Sequence, residues 1–139
     1  MAANNRPAFL SNANLRIGLV ASFLFARLVS LAAMPLEGLR GYGDFINYFE
    51  ISGLPGLPFI NYWVEYPPVF PFLARGVRSI SGGQEHVFYY LLVLILTLAD
   101  AGSLYLFTRL ASRWFSPEQA LLRSGVYLLV LVSLAYGWW

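Results

Sequence analysis

Three long apolar runs divide the chain. The first covers about Leu15 to Met34 and is interrupted by Arg27. The second covers about Val87 to Phe107 and is interrupted by Asp100. The third covers about Ala120 to Trp139 and carries no charge after Arg123. Each approaches the roughly 20 apolar residues that cross a bilayer as a helix. Helix is the state required of them, because an isolated strand leaves its backbone groups unpaired in lipid. The pattern predicts an all-α membrane protein with three transmembrane helices, forming one membrane domain over residues 1–139. The stretch from Pro35 to His86 has a different rhythm. Phe45, Tyr48 and Phe49 share one face of a segment from Asp44 to Ser52 by the i, i+3, i+4 rule. The run Gly53-Leu54-Pro55-Gly56-Leu57-Pro58 stops that segment. A second short apolar segment runs from Val69 to Ile80 after Pro67-Pro68, and Gly82-Gly83 precedes the second long run. Both segments suit short amphipathic helices lying along a membrane surface, within the first extracytoplasmic loop.

Composition narrows the class. Hydrophobic residues make up 58% of the 139 residues and charged residues 12%, against roughly 25% charged in an ordinary soluble domain. A small soluble protein has too much surface for so few charges. This excludes soluble, disordered and coiled-coil readings. Cysteine is absent, so disulfides, iron–sulfur clusters and cysteine-ligated zinc are excluded. His86 is the one histidine, which excludes a histidine-rich metal site. All nine basic residues are arginine, and a scattered net charge of +2 does not point to nucleic acid.

Arginine placement predicts orientation. Arg109, Arg113 and Arg123 cluster around the short loop between the second and third runs, and Arg6 and Arg16 precede the first. Arg40, Arg75 and Arg78 are spread over the much longer loop, whose acids count little in this rule. The expectation is a multi-pass protein of the cell membrane with a cytoplasmic N-terminus and an extracytoplasmic loop from 35 to 86. Trp138 and Trp139 then fall at the outer interface, where tryptophan is favoured. Ser30-Leu31-Ala32 loosely resembles a signal cleavage site. Arg27 inside the run and two further spans favour an uncleaved anchor.

Asp44 is the first candidate for chemistry. It follows the turn Gly41-Tyr42-Gly43, just past a span and at the start of an amphipathic segment. One reading is an N-cap, accepting from the first helical N–H groups. The other is a general base that takes a proton from an acceptor hydroxyl as its oxygen attacks an electrophilic carbon. The two are compatible. Glu65 lies beside Tyr66-Pro67-Pro68, whose prolines bias Tyr66 to an extended conformation; it is a candidate for acceptor binding or a metal site. Glu50 reads as solvated. Arg40, Arg75 and Arg78 suit a lipid phosphate, either of a bound ligand or of ordinary headgroups. The loop aromatics Tyr42, Tyr62, Trp63 and Tyr66 suit stacking on a sugar or an interfacial belt.

The ordered set Gly43-Asp44-Phe45-Ile46-Asn47-Tyr48-Phe49, then Gly53, then Glu65-Tyr66-Pro67-Pro68 resembles the first extracytoplasmic loop of GT-C-type integral membrane glycosyltransferases. It is most similar to the polyprenyl-phosphate-mannose-type bacterial transferases. Ala99-Asp100 within the second run also looks like that group, and the resemblance extends over about Leu15 to Arg113. It implies a sugar donor on a polyprenyl phosphate, inversion at the anomeric carbon and Asp44 as the base. It implies Tyr48, Glu65, Tyr66 and Arg40 as substrate-binding candidates, with no resident cofactor and no metal. Such enzymes usually have eight or more spans, so the expectation is an N-terminal portion of a larger polytopic enzyme, whose partners are membrane lipids, the lipid-linked donor and the remaining spans or another membrane subunit. Activity of the 139-residue chain alone is not implied.

Two other functions stand beside this one. A small non-enzymatic membrane subunit or assembly protein would use the aromatic loop for a partner. A fragment of a transporter or lipid flippase would line its pathway with Arg27 and Asp100. Burying either charge alone in lipid is costly, so Arg27 and Asp100 are expected to face each other between antiparallel neighbouring spans. Otherwise Arg27 would snorkel outward or meet Glu37, and Asp100 would cap a break or bond Ser103.

Overall fold

A computed structural model of the protein describes residues 12–41 and 44–134. Among these residues it is all-helical: α1 (Asn12–Ala33), α2 (Leu36–Gly41), α3 (Phe45–Ser52), α4 (Val69–Ile80), α5 (Glu85–Trp114) and α6 (Pro117–Leu134). Arg6, Tyr42, Gly43, Trp138 and Trp139 lie outside the described residues.

Local chemistry explains the boundaries. Pro35 stops α1, since the residue before a proline is pushed out of the helical region, and the Pro35 carbonyl then accepts from Gly38 and Leu39 to start α2. Pro68 stands at the N-cap of α4, and Pro71 falls in its first turn, where a missing N–H costs nothing. Gly82 and Gly83 both take positive φ, at +61° and +74°. Gly83 N–H reaches Arg78 O at 3.1 Å and Gly82 N–H reaches Ser79 O at 3.2 Å, the paired bonds of a Schellman ending. Ser116 precedes the Pro117 start of α6, and its carbonyl accepts from Ala120 at 2.8 Å.

Among the described residues, two helices are long and apolar enough to cross a membrane: Ala13–Ala33 within α1, and α5. At 1.5 Å per residue, α5 is about 45 Å long, well beyond the roughly 30 Å hydrocarbon thickness. It continues past the expected end at Phe107 because no Gly or Pro breaks it before Pro117. Thr108 and Ser112 in that extension return their hydroxyls to Tyr105 O and Thr108 O. Where the third span is expected, the described residues form α6, which is not one of the helices long and apolar enough to cross a membrane.

The chain forms two compact units, and α1 and α5 contribute to both. The first holds described residues 12–30 and 97–134. Its core is Phe23, Ala101 and Leu104, with Leu19, Leu24, Tyr127 and Leu128 against them. Tyr127 is fixed twice, by a 2.8 Å hydrogen bond to Ser103 and by stacking on Phe107 at 4.3 Å between centroids. Ser103 is thus engaged by α6 rather than by Asp100. Arg27 and Asp100 interact electrostatically in this unit, and the Arg27 guanidinium lies 5.6 Å from the Phe23 ring centroid. Most of α1 is nevertheless exposed and apolar, Phe25 at 71% for example.

The second unit holds described residues 31–41 and 44–96. Leu39, Phe45, Ala74, Val77, Phe88, Tyr89, Leu92 and Val93 make its core. Aromatic edges lock it: Phe45 meets Tyr89 at 6.0 Å and Phe49 meets Phe88 at 5.2 Å. The expected short segments of the loop are helical here as α3 and α4, and α2 is a further helix in front of them.

Candidate functional site

The candidate residues gather in the second unit, around the start of α3. Asp44 occupies the N-cap position of α3, yet its side chain makes no capping bond. Its Oδ1 instead accepts from the Asn47 amide at 3.1 Å, one turn along. The carboxylate is exposed. The helix-capping half of the double reading is therefore absent from the side chain, although Asp44 O does accept Tyr48 N–H at 2.8 Å.

Helical spacing sets Tyr48 one turn beyond Asp44, and its ring meets Tyr66 at 4.9 Å and Phe70 at 4.4 Å. The Tyr66 ring also lies 5.7 Å from Phe70. Burial, reinforced by the negative charge of Asp44 and by Tyr66, pushes the Tyr48 phenol up to about 12. Burial and the Asp44 charge also raise the Tyr66 phenol, and Asp44 and Asn47 both bear on its hydroxyl. Both phenols keep their protons at neutral pH and remain donors. The arrangement is an exposed carboxylate ringed by one amide and two protonated phenols. A carboxylate in such a setting can accept a proton at its oxygen, and neighbouring hydroxyl and amide donors can orient a hydroxylated ligand.

Beside it lies an open depression of about 310 Å³ lined by Asn47, Glu50, Ile51, Trp63, Val64, Glu65 and Tyr66. Glu65 also contributes its charge to Tyr66. Thus Asp44, Tyr48, Glu65 and Tyr66 come together. Arg40 does not join them: its Nε pairs with Glu85 at 2.8 Å, and Tyr89 donates to the same Glu85 oxygen at 2.8 Å. That triad ties α2 to the first turn of α5. Arg75 and Arg78 are likewise committed to backbone. Arg75 donates to Gly56 O and Leu54 O, and Arg78 to Phe49 O at 2.7 Å.

Asn47 and Glu50 received no role from the sequence. Asn47 was visible as the residue one turn after Asp44, and Glu50 as the residue one turn after Asn47, the spacing that puts side chains on one face. Among the described residues, no group of three or more His, Cys, Asp or Glu is placed to hold a metal ion. No family model, no curated protein and no solved structure matches this chain.

Proposed function

We propose that this chain belongs to a membrane glycosyltransferase that moves a sugar from a polyprenyl-phosphate donor to an extracytoplasmic acceptor, with Asp44 as general base. The supporting observation is the Asp44 carboxylate, which stands at the head of α3 without capping it and is surrounded by Asn47, Tyr48 and Tyr66. In the reaction the acceptor hydroxyl gives its proton to Asp44. Its oxygen forms the new bond to the anomeric carbon from the face opposite the leaving group. The carbon–oxygen bond to the phosphate breaks, and polyprenyl phosphate departs with the electron pair. Asn47 holds the carboxylate through its amide, Tyr48 and Tyr66 donate to sugar or acceptor oxygens, and Glu65 lines the acceptor side of the depression. The accompanying topology is three spans, with α6 the third, a cytoplasmic N-terminus, and α2 to α4 on the extracytoplasmic face.

The test is donor turnover by membranes carrying the complete enzyme that this reading implies, with this chain as its N-terminal portion, offered a panel of polyprenyl-phosphate hexoses labelled in the sugar. Asp44→Asn keeps the shape of the side chain but accepts no proton at neutral pH, so transfer is expected to be abolished while helicity is kept. Near-normal turnover by Asp44→Asn removes that residue from the mechanism. Absence of turnover across the panel by the complete enzyme overturns the enzyme reading.

A further inference from the structure

The segment between α3 and α4 closes on itself. Leu54 N–H reaches Ile51 O at 3.2 Å, Phe59 N–H reaches Tyr62 O at 2.8 Å, and Ile60 and Asn61 N–H both reach Leu57 O, at 3.2 and 2.9 Å. Leu57 N–H is taken by the Asn61 side-chain oxygen at 2.8 Å. Pro55 and Pro58 have no N–H to satisfy. Apart from Gly56, every residue from Leu54 to Asn61 that carries a backbone N–H therefore donates it within the protein. On the acceptor side, the Arg75 guanidinium takes Gly56 O and Leu54 O.

Two backbone conformations hold this shape. Gly56 sits at φ +84° with the Asn61 side chain against the place a Cβ would occupy, so only glycine fits. Phe59 sits at φ +65°, a region that aromatic residues rarely enter, and its ring packs edge-on against Trp63 at 6.2 Å. The apolar side chains of the tip are exposed. Ile60 is 75% exposed and Trp63 81% exposed, with Leu57 and Phe59 also on the surface. No charged residue occurs from Gly53 to Val64.

We infer that this loop inserts its apolar tip, Leu57, Phe59, Ile60 and Trp63, into the interfacial layer of a lipid bilayer. Three observations select lipid as the occupant. From Leu54 to Asn61 the N–H groups other than that of Gly56 are bonded within the protein, which lowers the cost of setting a non-helical segment against an apolar medium. The tip is uncharged and carries a tryptophan, whose apolar ring and single N–H suit the boundary between acyl chains and headgroups. The loop also lies in the chain between α1 and α5, the two helices that among the described residues are long and apolar enough to cross a membrane. The inference requires nothing of Asp44, and it shares only Trp63 with the depression beside that residue.

The cysteine-free sequence makes the test direct. Ile60→Cys and, separately, Trp63→Cys are spin-labelled in the full-length chain, which is reconstituted into phosphatidylcholine–phosphatidylglycerol vesicles. Collision rates with dissolved oxygen and with a water-soluble nickel chelate are then measured. Both labels are expected to meet oxygen more and chelate less than a nitroxide free in water. Adding Asn61→Ala, which removes the acceptor for Leu57 N–H, is expected to shift the label at 60 back toward the aqueous ratio. Chelate access equal to that of the free nitroxide overturns the inference. So does a label shielded from both reagents, which identifies a protein partner or a second copy as the occupant. An unchanged ratio on adding Asn61→Ala overturns the argument from backbone closure.

Discussion

Arg78 joins two helices by two different forces, and removing it gives a measurable prediction. Its guanidinium donates to Phe49 O at 2.7 Å, one of the last four carbonyls of α3, which lack a backbone donor four residues on within the helix; the Ser52 hydroxyl reaches the same oxygen at 2.6 Å. The guanidinium also lies over the Phe49 ring at 4.2 Å from the centroid. A hydrogen bond from a charged donor contributes about 1.5 to 3 kcal/mol. A partly exposed cation–π contact adds about 0.5 to 1 kcal/mol. The perturbation is Arg78→Met, which keeps the unbranched stem and its packing while deleting donor and charge. The sum predicts a loss of about 2 to 4 kcal/mol in the local stability of α3 and α4. Hydrogen–deuterium exchange of the full chain in detergent or nanodiscs reads that loss peptide by peptide, because amides exchange through local opening. Exchange in α3 should speed up by roughly 30-fold at the lower figure, since each 1.4 kcal/mol is tenfold. The exposed neighbour Ser79→Ala is the control and should leave exchange unchanged. Arg78→Met with native exchange in α3 would refute the assignment of Arg78 as the tie between these helices.

Three further outcomes are expected. The Tyr48 phenol, pushed up to about 12 mainly by burial, is held protonated more strongly in the folded state than in the unfolded chain, where it titrates near 10. Its contribution to stability is present in full below about pH 10 and is lost as pH rises from about 10 to 12. Thermal melts across that window should therefore fall less steeply for Tyr48→Phe than for the native chain. Deleting the Ser103–Tyr127 bond by Ser103→Ala or by Tyr127→Phe should cost about 1 kcal/mol each, and the double variant no more than either, because one bond is lost in all three; additive losses would show that the two hydroxyls act separately. Arg27→Met and Asp100→Asn should each destabilise the chain more than the two together, since each leaves the other charge without its counterion; a double variant less stable than both singles would show that the two charges do not support each other.

Much of the helical layout was legible because punctuation is local. Pro35, Gly53, the Pro67-Pro68 pair and the Gly82-Gly83 pair each act on the backbone within a residue or two, and α1, α3 and α4 end or begin where they stand. Phe107 is a poor boundary because the arginine-bearing stretch after it reads as a short loop, whereas charge does not break a helix and α5 continues to Trp114. The helix α2 has no periodicity to read in six residues and depends on the Pro35 carbonyl for its start. The grouping of Asp44, Asn47 and Tyr48 follows from spacing along one helix. The commitment of the arginines could not be read in that way. Arg75 and Arg78 bond carbonyls 19 to 29 residues away, and Arg40 pairs with Glu85 at the start of another helix. A sequence pattern carries no distance of that kind, and a guanidinium that suits a phosphate suits a carbonyl equally well.

The make-up of the two units bears on how the protein is born. Every described residue of the second unit lies in one uninterrupted stretch of translation, from Leu31 to Leu96, whereas the first joins the head of α1 to residues from Thr97 onward. Contacts between residues near in sequence form early, and those that close a long loop form late. As the ribosome delivers the chain from its N-terminus, the second unit is complete and can pack while α6 is still unsynthesised. The apolar flank of α1 that carries Phe23 must wait, without its protein neighbours, for Leu104 and Tyr127 to arrive. During that interval the nascent chain has a finished segment and an orphaned helix, and it is the helix that needs lipid or the insertion machinery as a temporary companion.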